Sequence, residues 1–279
     1  MKTILVPTDF SRLSKVGVSY AIGLAKKMNA RILLLSVINA SSSTNTLRSW
    51  KKLEEEMIKT AQQDADQLIK EVKTEAEGVN ISYCSVSGFP IEDMIDKFSV
   101  RNKVDLIVMG TKGATGLKKA LMGSNATAVI NNSSVPVVVV PEKARFRSIK
   151  KLIYATDVRN FQKEIRTVAG FAHFFDVSIQ VLHVMGKGPS IKKVESDMAW
   201  ISREKLIRMA RYPKIKLHVL RNENIADAVN KFVSDEKADL LAMFTHRLDF
   251  YEKLLGRSVT RQLAFHSKVP MLTFNKTNY

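Results

Sequence analysis

The sequence predicts an α/β fold in which a doubly wound, five-stranded parallel sheet, strand order 3-2-1-4-5 with helices on both faces, occurs twice in tandem. Three observations carry this prediction. Short apolar runs rich in Val and Ile alternate with amphipathic stretches along the chain, and strand–helix alternation of this kind builds parallel sheets. Runs such as Ile32–Leu35 and Leu106–Met109 are apolar at every position, as strands covered on both faces are. Finally, four segments of the first half recur in order in the second. Lys2–Asp9 lines up with Lys150–Asp157, Ala25–Val37 with Ala172–Val184, Val104–Leu106 with Ala238–Leu240, and Ser134–Val137 with Lys268–Met271. Four ordered matches mark a duplicated domain rather than a solenoid array. The 279 residues accommodate two domains of ordinary size. The expected bounds are residues 1–143 and 149–279, joined by a short polar linker within 141–148 that keeps the two in contact.

The elements follow in order. Strands are expected at Thr3–Val6, Ile32–Val37, Ile81–Val86, Leu106–Met109 and Val135–Val140, each a short apolar or alternating run between turn residues. Leu13, Val16, Tyr20, Leu24 and Met28 recur at helical spacing. From 47 to 77, Leu53, Met57, Ala61, Ala65, Leu68 and Val72 form one apolar stripe with charges opposite, the pattern of a long surface helix. Pro90 is expected in the first turn of a helix running from Ile91 to about Asn102. Ser124 is expected to cap the last helix of the first copy. In the second copy strands are expected near 152–155, 179–184, 215–220, 239–244 and 269–274. Its helices are expected near 160–175, 190–212, 223–236 and 257–266.

Composition excludes several classes. Hydrophobic content of 45% and charged content of 25% are those of an ordinary globular protein. No apolar run reaches the roughly 20 residues of a membrane helix, and the run in Met1–Pro7 is too short for a signal peptide. The single cysteine, Cys84, excludes an internal disulfide and reads as a small apolar strand residue. Together these point to a cytoplasmic protein without membrane attachment. The net charge is +17. Counted along the chain, residues 1–144 contribute +5 and residues 145–279 contribute +12. A basic surface attracts polyanions, but the basic residues are spread along the sequence with no recognisable DNA- or RNA-binding motif. A solvated basic surface is therefore expected, and nucleic acid is not the expected partner.

Ligands of open α/β sheets bind beyond the carboxyl ends of the strands where strand order reverses. Three segments of the first copy converge there: Pro7-Thr8-Asp9-Phe10-Ser11 after strand one, Ser36-Val37 at the end of strand two, and Gly110 to Ser124 after strand four. The last contains Met109-Gly110-Thr111-Lys112-Gly113, nine further residues, then Gly123-Ser124-Asn125-Ala126. Gly110 lets a ligand approach the backbone, and Gly113 permits a tight turn. The helix that opens at Gly123-Ser124 offers unpaired N–H groups to an anion. Lys112, Lys118 and Lys119 supply positive charge, and the Asp9 carboxylate suits a ribose hydroxyl or a base amino group. No Gly-x-Gly-x-x-Gly follows strand one, no Walker loop is present, and the Ser-Gly-Gly loop of ATP-pyrophosphatases is missing.

This pattern resembles the universal stress protein family. The resemblance rests on Gly110, Gly113 and Gly123-Ser124 at the family's spacing, on Asp9, on Gly88-Phe89-Pro90 before the third helix, and on the Val135–Val140 strand. It covers nearly the whole chain as two tandem domains. The resemblance implies binding of ATP (or AMP or ADP), with Mg as an accompanying ion. Adenine would lie near Asp9 and Val37, and the phosphates at Gly113, Gly123, Ser124 and Asn125. It also implies a homodimer associated through the last strand, which fits the tendency of an apolar edge strand to seek a partner.

The second copy departs from the first where the loop glycines stand. Phe244 and Arg247 occupy positions near the first two glycines, and Arg257 replaces the serine after Gly256, whereas Asp157 and Val184 match Asp9 and Val37. A side chain as large as Phe244 fills space that a ribose or phosphate needs, so ATP is not expected there in the same pose. His246, Arg247 and Arg257 form an alternative anion site or an ordinary surface. His183 and His246 fall on adjacent strand ends near Asp157, while His173, His218 and His266 lack ligand spacing, so structural histidines are expected and no metal site. The overall expectation is an ATP-binding regulatory protein of the stress response, with the second domain for packing or partner contact. Two alternatives are a slow ATPase, which needs a general base or a metal-held water, and a basic scaffold for a polyanion or protein partner.

Overall fold

The computed structural model describes residues 1–39, 47–111, 123–158, 160–186, 201–245 and 268–275. The chain divides into two compact units, the first Met1–Phe146 and the second beginning at Arg147. No described helix is long and apolar enough to cross a membrane.

The first unit runs β1 (Lys2–Pro7), α1 (Arg12–Met28), β2 (Ala30–Ile38), α2 (Leu47–Glu71), β3 (Ile81–Ser87), α3 (Ile91–Arg101), β4 (Leu106–Gly110), α4 (Ser124–Asn132) and β5 (Val137–Val140). Its strands lie in the order β3-β2-β1-β4-β5, and the pairs β1–β2, β1–β4, β2–β3 and β4–β5 are all parallel. The core is the central strand and its neighbours: Ile4, Leu5, Val6, Ile32, Leu34, Leu35, Ile107 and Val108 are fully buried. Asp105 fixes the start of β1, accepting from Lys2 Nζ at 2.7 Å and from Thr3 N at 2.8 Å.

The helices are shaped by their ends and faces. Ser11 caps α1 by accepting from Ser14 N, and Asn29 closes it in the left-handed region at φ 49°. Lys26 and Lys27 in the last turn suit the negative end of the helix dipole. The buried face of α1, which includes Ser14, Gly17, Val18, Ala21, Leu24 and Ala25, has helical spacing. The stripe expected to be one helix from 47 to 77 is helical only through Glu71, and turns occupy 72–78. Pro90 stands at the N-cap of α3 rather than in its first turn.

The second unit runs β6 (Lys151–Ala155), α5 (Phe161–Phe175), β7 (Ser178–Met185), α6 (Arg203–Ala210), β8 (Ile215–Arg221), α7 (Ile225–Asp235), β9 (Leu240–Thr245) and β10 (Met271–Asn275). Its order, β8-β7-β6-β9-β10, is the order of the first unit read through the repeat. Asp239 repeats the clamp of Asp105, accepting from Lys150 N and Lys151 N at 2.8 and 3.0 Å. The expected helix at 257–266 and the first part of that at 190–212 lie outside the described residues.

Candidate nucleotide site

Strand order in the first unit reverses between β1 and β4. Beyond their carboxyl ends the backbone makes a compact turn. Thr8 N donates to the Leu35 carbonyl at 2.9 Å, which carries the β1–β2 ladder one step past Pro7. Phe10 N donates to Thr8 Oγ1 at 3.0 Å, and Ser11 N to Asp9 Oδ1 at 3.1 Å. These two side-chain turns hold Phe10 at φ 57°, a conformation uncommon for a bulky residue. Thr8, buried, also shares a hydrogen bond with Ser14 on α1 at 3.0 Å. The Phe10 ring lies 5.9 Å from that of Tyr83, whose hydroxyl meets Ser36 Oγ at 2.5 Å. Asp9 remains exposed at the mouth of the turn.

β4 ends at Gly110, in register with Val140 of β5. Thr111 N donates to the Val140 carbonyl at 3.1 Å, and Gly123 N donates to the Thr111 carbonyl at 2.7 Å. That bond draws together the two ends of the glycine loop and sets the start of α4 beside the end of β4. The cap of α4 is Gly123, at φ −59° and ψ 150°, and Ser124 is its first helical residue. The expectation of a Ser124 cap is corrected here: Gly123 already has the extended conformation a cap needs, and Thr127 N–H gives the first helical bond, to the Gly123 carbonyl at 3.1 Å. The amides of Ser124, Asn125 and Ala126 lie ahead of that ladder, where an anion is favoured. Ser124 and Asn125 are exposed, and Ala126 is buried beneath them.

Pro7, Thr8, Asp9, Val37, Met109, Gly110, Gly123, Ser124, Asn125 and Ala126 therefore all stand at the carboxyl ends of β1, β2 and β4 or the start of α4. Lys112 and Gly113, with Lys118 and Lys119, lie outside the described residues. A residue absent from the sequence reading joins this group. Gly17 presses α1 against the end of β4: a Cβ there would stand 3.0 Å from Gly110 N and 3.3 Å from the Met109 carbonyl carbon. Its only sequence signal is a glycine on the apolar face of a helix, where glycine is otherwise unfavourable. A separate cavity of about 700 Å³ runs along the outer side of α1, past Arg12, Lys15, Tyr20, Lys26 and Phe146. It holds none of the strand-end residues.

The second unit keeps the turn and changes the rest. Thr156 N donates to the Leu182 carbonyl at 2.9 Å and Val158 N to Thr156 Oγ1 at 3.0 Å, with Val158 at φ 62°. These are the bonds of Thr8 and Phe10 again. In register, however, Phe244 takes the place of Gly110 and Phe274 that of Val140. The two rings stack at 4.9 Å, and Tyr154 meets Phe244 edge-on at 6.0 Å and stacks with Phe161 at 6.4 Å. The Tyr154 hydroxyl donates to Glu164, which is buried on α5. Burial first, and then the Glu164 carboxylate, push the Tyr154 pKa well above its ordinary value.

Two of the described histidines have hydrogen-bond partners, while His173 is exposed on α5. His183 Nδ1 donates to the Thr156 carbonyl at 2.8 Å, and His218 Nε2 meets Gln180 Oε1 at 2.8 Å. Burial lowers the pKa of His218. Among the described residues no group of three or more His, Cys, Asp or Glu is placed to hold a metal. His246, Arg247, Arg257 and His266 lie outside them. Cys84 is half-buried in β3.

Comparison with known proteins bears on the family and the fold. A universal stress protein of Methanocaldococcus jannaschii is 38% identical over 143 residues, half of this chain and 81% of that protein. A universal stress protein of Synechocystis is 25% identical over 98% of this chain and its own entire length. The crystal structure of a universal stress protein from Archaeoglobus fulgidus shares the fold at a TM-score of 0.71 and 19% identity, over 98% of this chain and 96% of that one. The model of the universal stress protein family matches twice, over residues 1–141 and 150–275. With both halves matched and the strand order of a doubly wound sheet in each, the chain belongs to the universal stress protein family, as a tandem pair of its domains.

Proposed function

We propose that the first unit binds ATP, or another adenine nucleotide, and that the chain acts as a nucleotide-dependent regulatory protein of the stress response. The supporting observation is the close approach of Gly17 to Gly110 beside the Thr111–Gly123 hydrogen bond. It sets Gly110, which has no side chain, next to the leading amides of α4, an arrangement that suits a phosphate chain. Asp9 and Val37 border the same strand ends and would meet the ribose and base, with Lys112 and Gly113 completing the phosphate loop. Mg²⁺ would accompany the phosphates and screen their charge. In the second unit the stacked Phe244 and Phe274 rings occupy the matching position, so that unit does not take ATP in this pose and serves packing or partner contact.

The test is calorimetric titration of the purified chain with Mg-ATP, together with chromatography of nucleotide released on denaturation. One adenine nucleotide per chain is expected. Gly110→Phe, which installs the second unit's residue in the first, should weaken binding by about 100-fold or more, since it removes the backbone approach that glycine permits. A folded wild-type protein that takes up no ATP, ADP or AMP at millimolar concentration would overturn the proposal.

A further inference from the structure

We propose that the face formed by α5 and α6 of the second unit binds single-stranded nucleic acid, with arginines on the phosphates and Phe174 beneath a base. Residues 145–279 carry a net charge of +12 by count. Along the sequence those charges form no motif, but the fold gathers several of them. Arg166 Nε on α5 donates to the Met209 carbonyl of α6 at 3.1 Å. Tyr212 Oη donates to the Val177 carbonyl at 2.6 Å, and Lys214 pairs with Asp176 at 2.5 Å. The end of α6 is thus held against Arg166 of α5, and the segment after it against the residues that follow α5.

Around that junction Lys163 and Arg166 are exposed on α5, and Arg203, Arg208 and Arg211 on α6 and its cap. Glu204 is the single acidic residue of α6. Arg166, Gly170 and Phe174 follow one another at i, i+4 spacing on the exposed side of α5, so they line one ridge. Among the described residues a Cβ at Gly170 would meet nothing within 4 Å, and Phe174 is 50% exposed. A bare shelf with an aromatic end therefore adjoins a basic rim.

The chemistry selects the occupant. Guanidinium groups bind phosphate oxygens in bidentate fashion, and an exposed aromatic ring stacks on any base. A lipid surface fits less well: of the apolar residues of α6, Leu206 and Ala210 are buried and Ile207 and Met209 half-buried, and its fully exposed positions are Arg203, Glu204 and Arg208, so it has a charged rather than an apolar face to present. A duplex fits less well too, because α6 is eight residues long and packs on α5 and β8, so it presents no free helix to a major groove.

Fluorescence anisotropy of labelled oligo(dT) with the full chain tests this. Four arginine contacts at about 0.7 ion each predict roughly 50-fold weaker binding between about 50 and 200 mM NaCl. The double variant Arg208→Glu/Arg211→Glu should lose tenfold or more and flatten that salt dependence. Phe174→Ala should lose about fivefold or more with the salt dependence unchanged. Circular dichroism confirms that each variant is folded. The proposal fails if oligo(dT) does not bind at low salt, or if the arginine reversals leave its affinity unchanged. It also fails if a duplex binds equally well, or if phosphatidylserine vesicles bind and oligo(dT) does not.

Discussion

The turns that follow β1 and β6 are built alike, whereas the ends of β4 and β9 beside them are not. Thr8 and Thr156 make the same two hydrogen bonds, and Phe10 and Val158 take the same left-handed conformation. Beside them, Gly110 and Val140 pair in the first unit at the register positions that Phe244 and Phe274 hold in the second. Gly17 and Glu164 precede the left-handed caps Asn29 and Asp176 by the same number of residues. The glycine lets α1 close on β4, while the glutamate reaches Tyr154. The shared turn belongs to the fold, because it persists beside an aromatic core. The glycines of β4 and α1 belong to the first unit alone, and the close approach of α1 to the end of β4 depends on them.

Three substitutions, from the largest expected effect to the smallest, can break or sharpen this contrast. Phe244→Ala should destabilise the second unit by about 3–5 kcal/mol, the cost of an emptied aromatic site, read from guanidinium unfolding; a loss below about 1 kcal/mol would mean the ring does not fill a core. Gly17→Val should cost about 1–3 kcal/mol by overpacking α1 against the Gly110 backbone. Its unfolding midpoint in urea checks this, and an unchanged midpoint would show that the helix can withdraw without loss.

Tyr154→Phe should cost about 1–3 kcal/mol by depriving the buried Glu164 carboxylate of a donor. It should also change the alkaline limb of the stability profile. The Tyr154 pKa is raised on folding, so the folded chain holds that proton more tightly than the unfolded one. The associated stability is complete below about pH 10 and is lost as the pH rises beyond it. Unfolding followed from neutral to alkaline pH should show that loss in wild type and a shallower one in Tyr154→Phe. Identical slopes would remove Tyr154 from the account.

Much of this was legible in the sequence. Short apolar runs placed the strands of both units, because strands buried on both faces have a local signature, and the repeated segments matched four of the five strands between the halves. The convergence of Asp9, Val37, Gly110 and Gly123 followed from strand order, and Phe244 could be matched to Gly110 by its place near the end of the repeated strand, β9. What escaped depends on partners far apart in the chain. Gly17 is only a weak helix residue until the β4 backbone appears against it, and nothing in the sequence pairs Glu164 with Tyr154, ten residues away. The Gly123 cap escaped for a local reason: serine has the stronger capping preference, but here the loop turns one residue earlier.

The first unit ends on an aromatic hook. Phe146 lies over Gly23 so closely that a Cβ there would fall 2.2 Å from its ring, and it meets the buried Tyr20 edge-on at 5.3 Å. Any attempt to produce the first domain alone has to carry this residue. A fragment stopped at the last valine of β5 would bare the notch at Gly23 and the edge of Tyr20, and would offer other molecules an adhesive spot that the intact chain keeps covered.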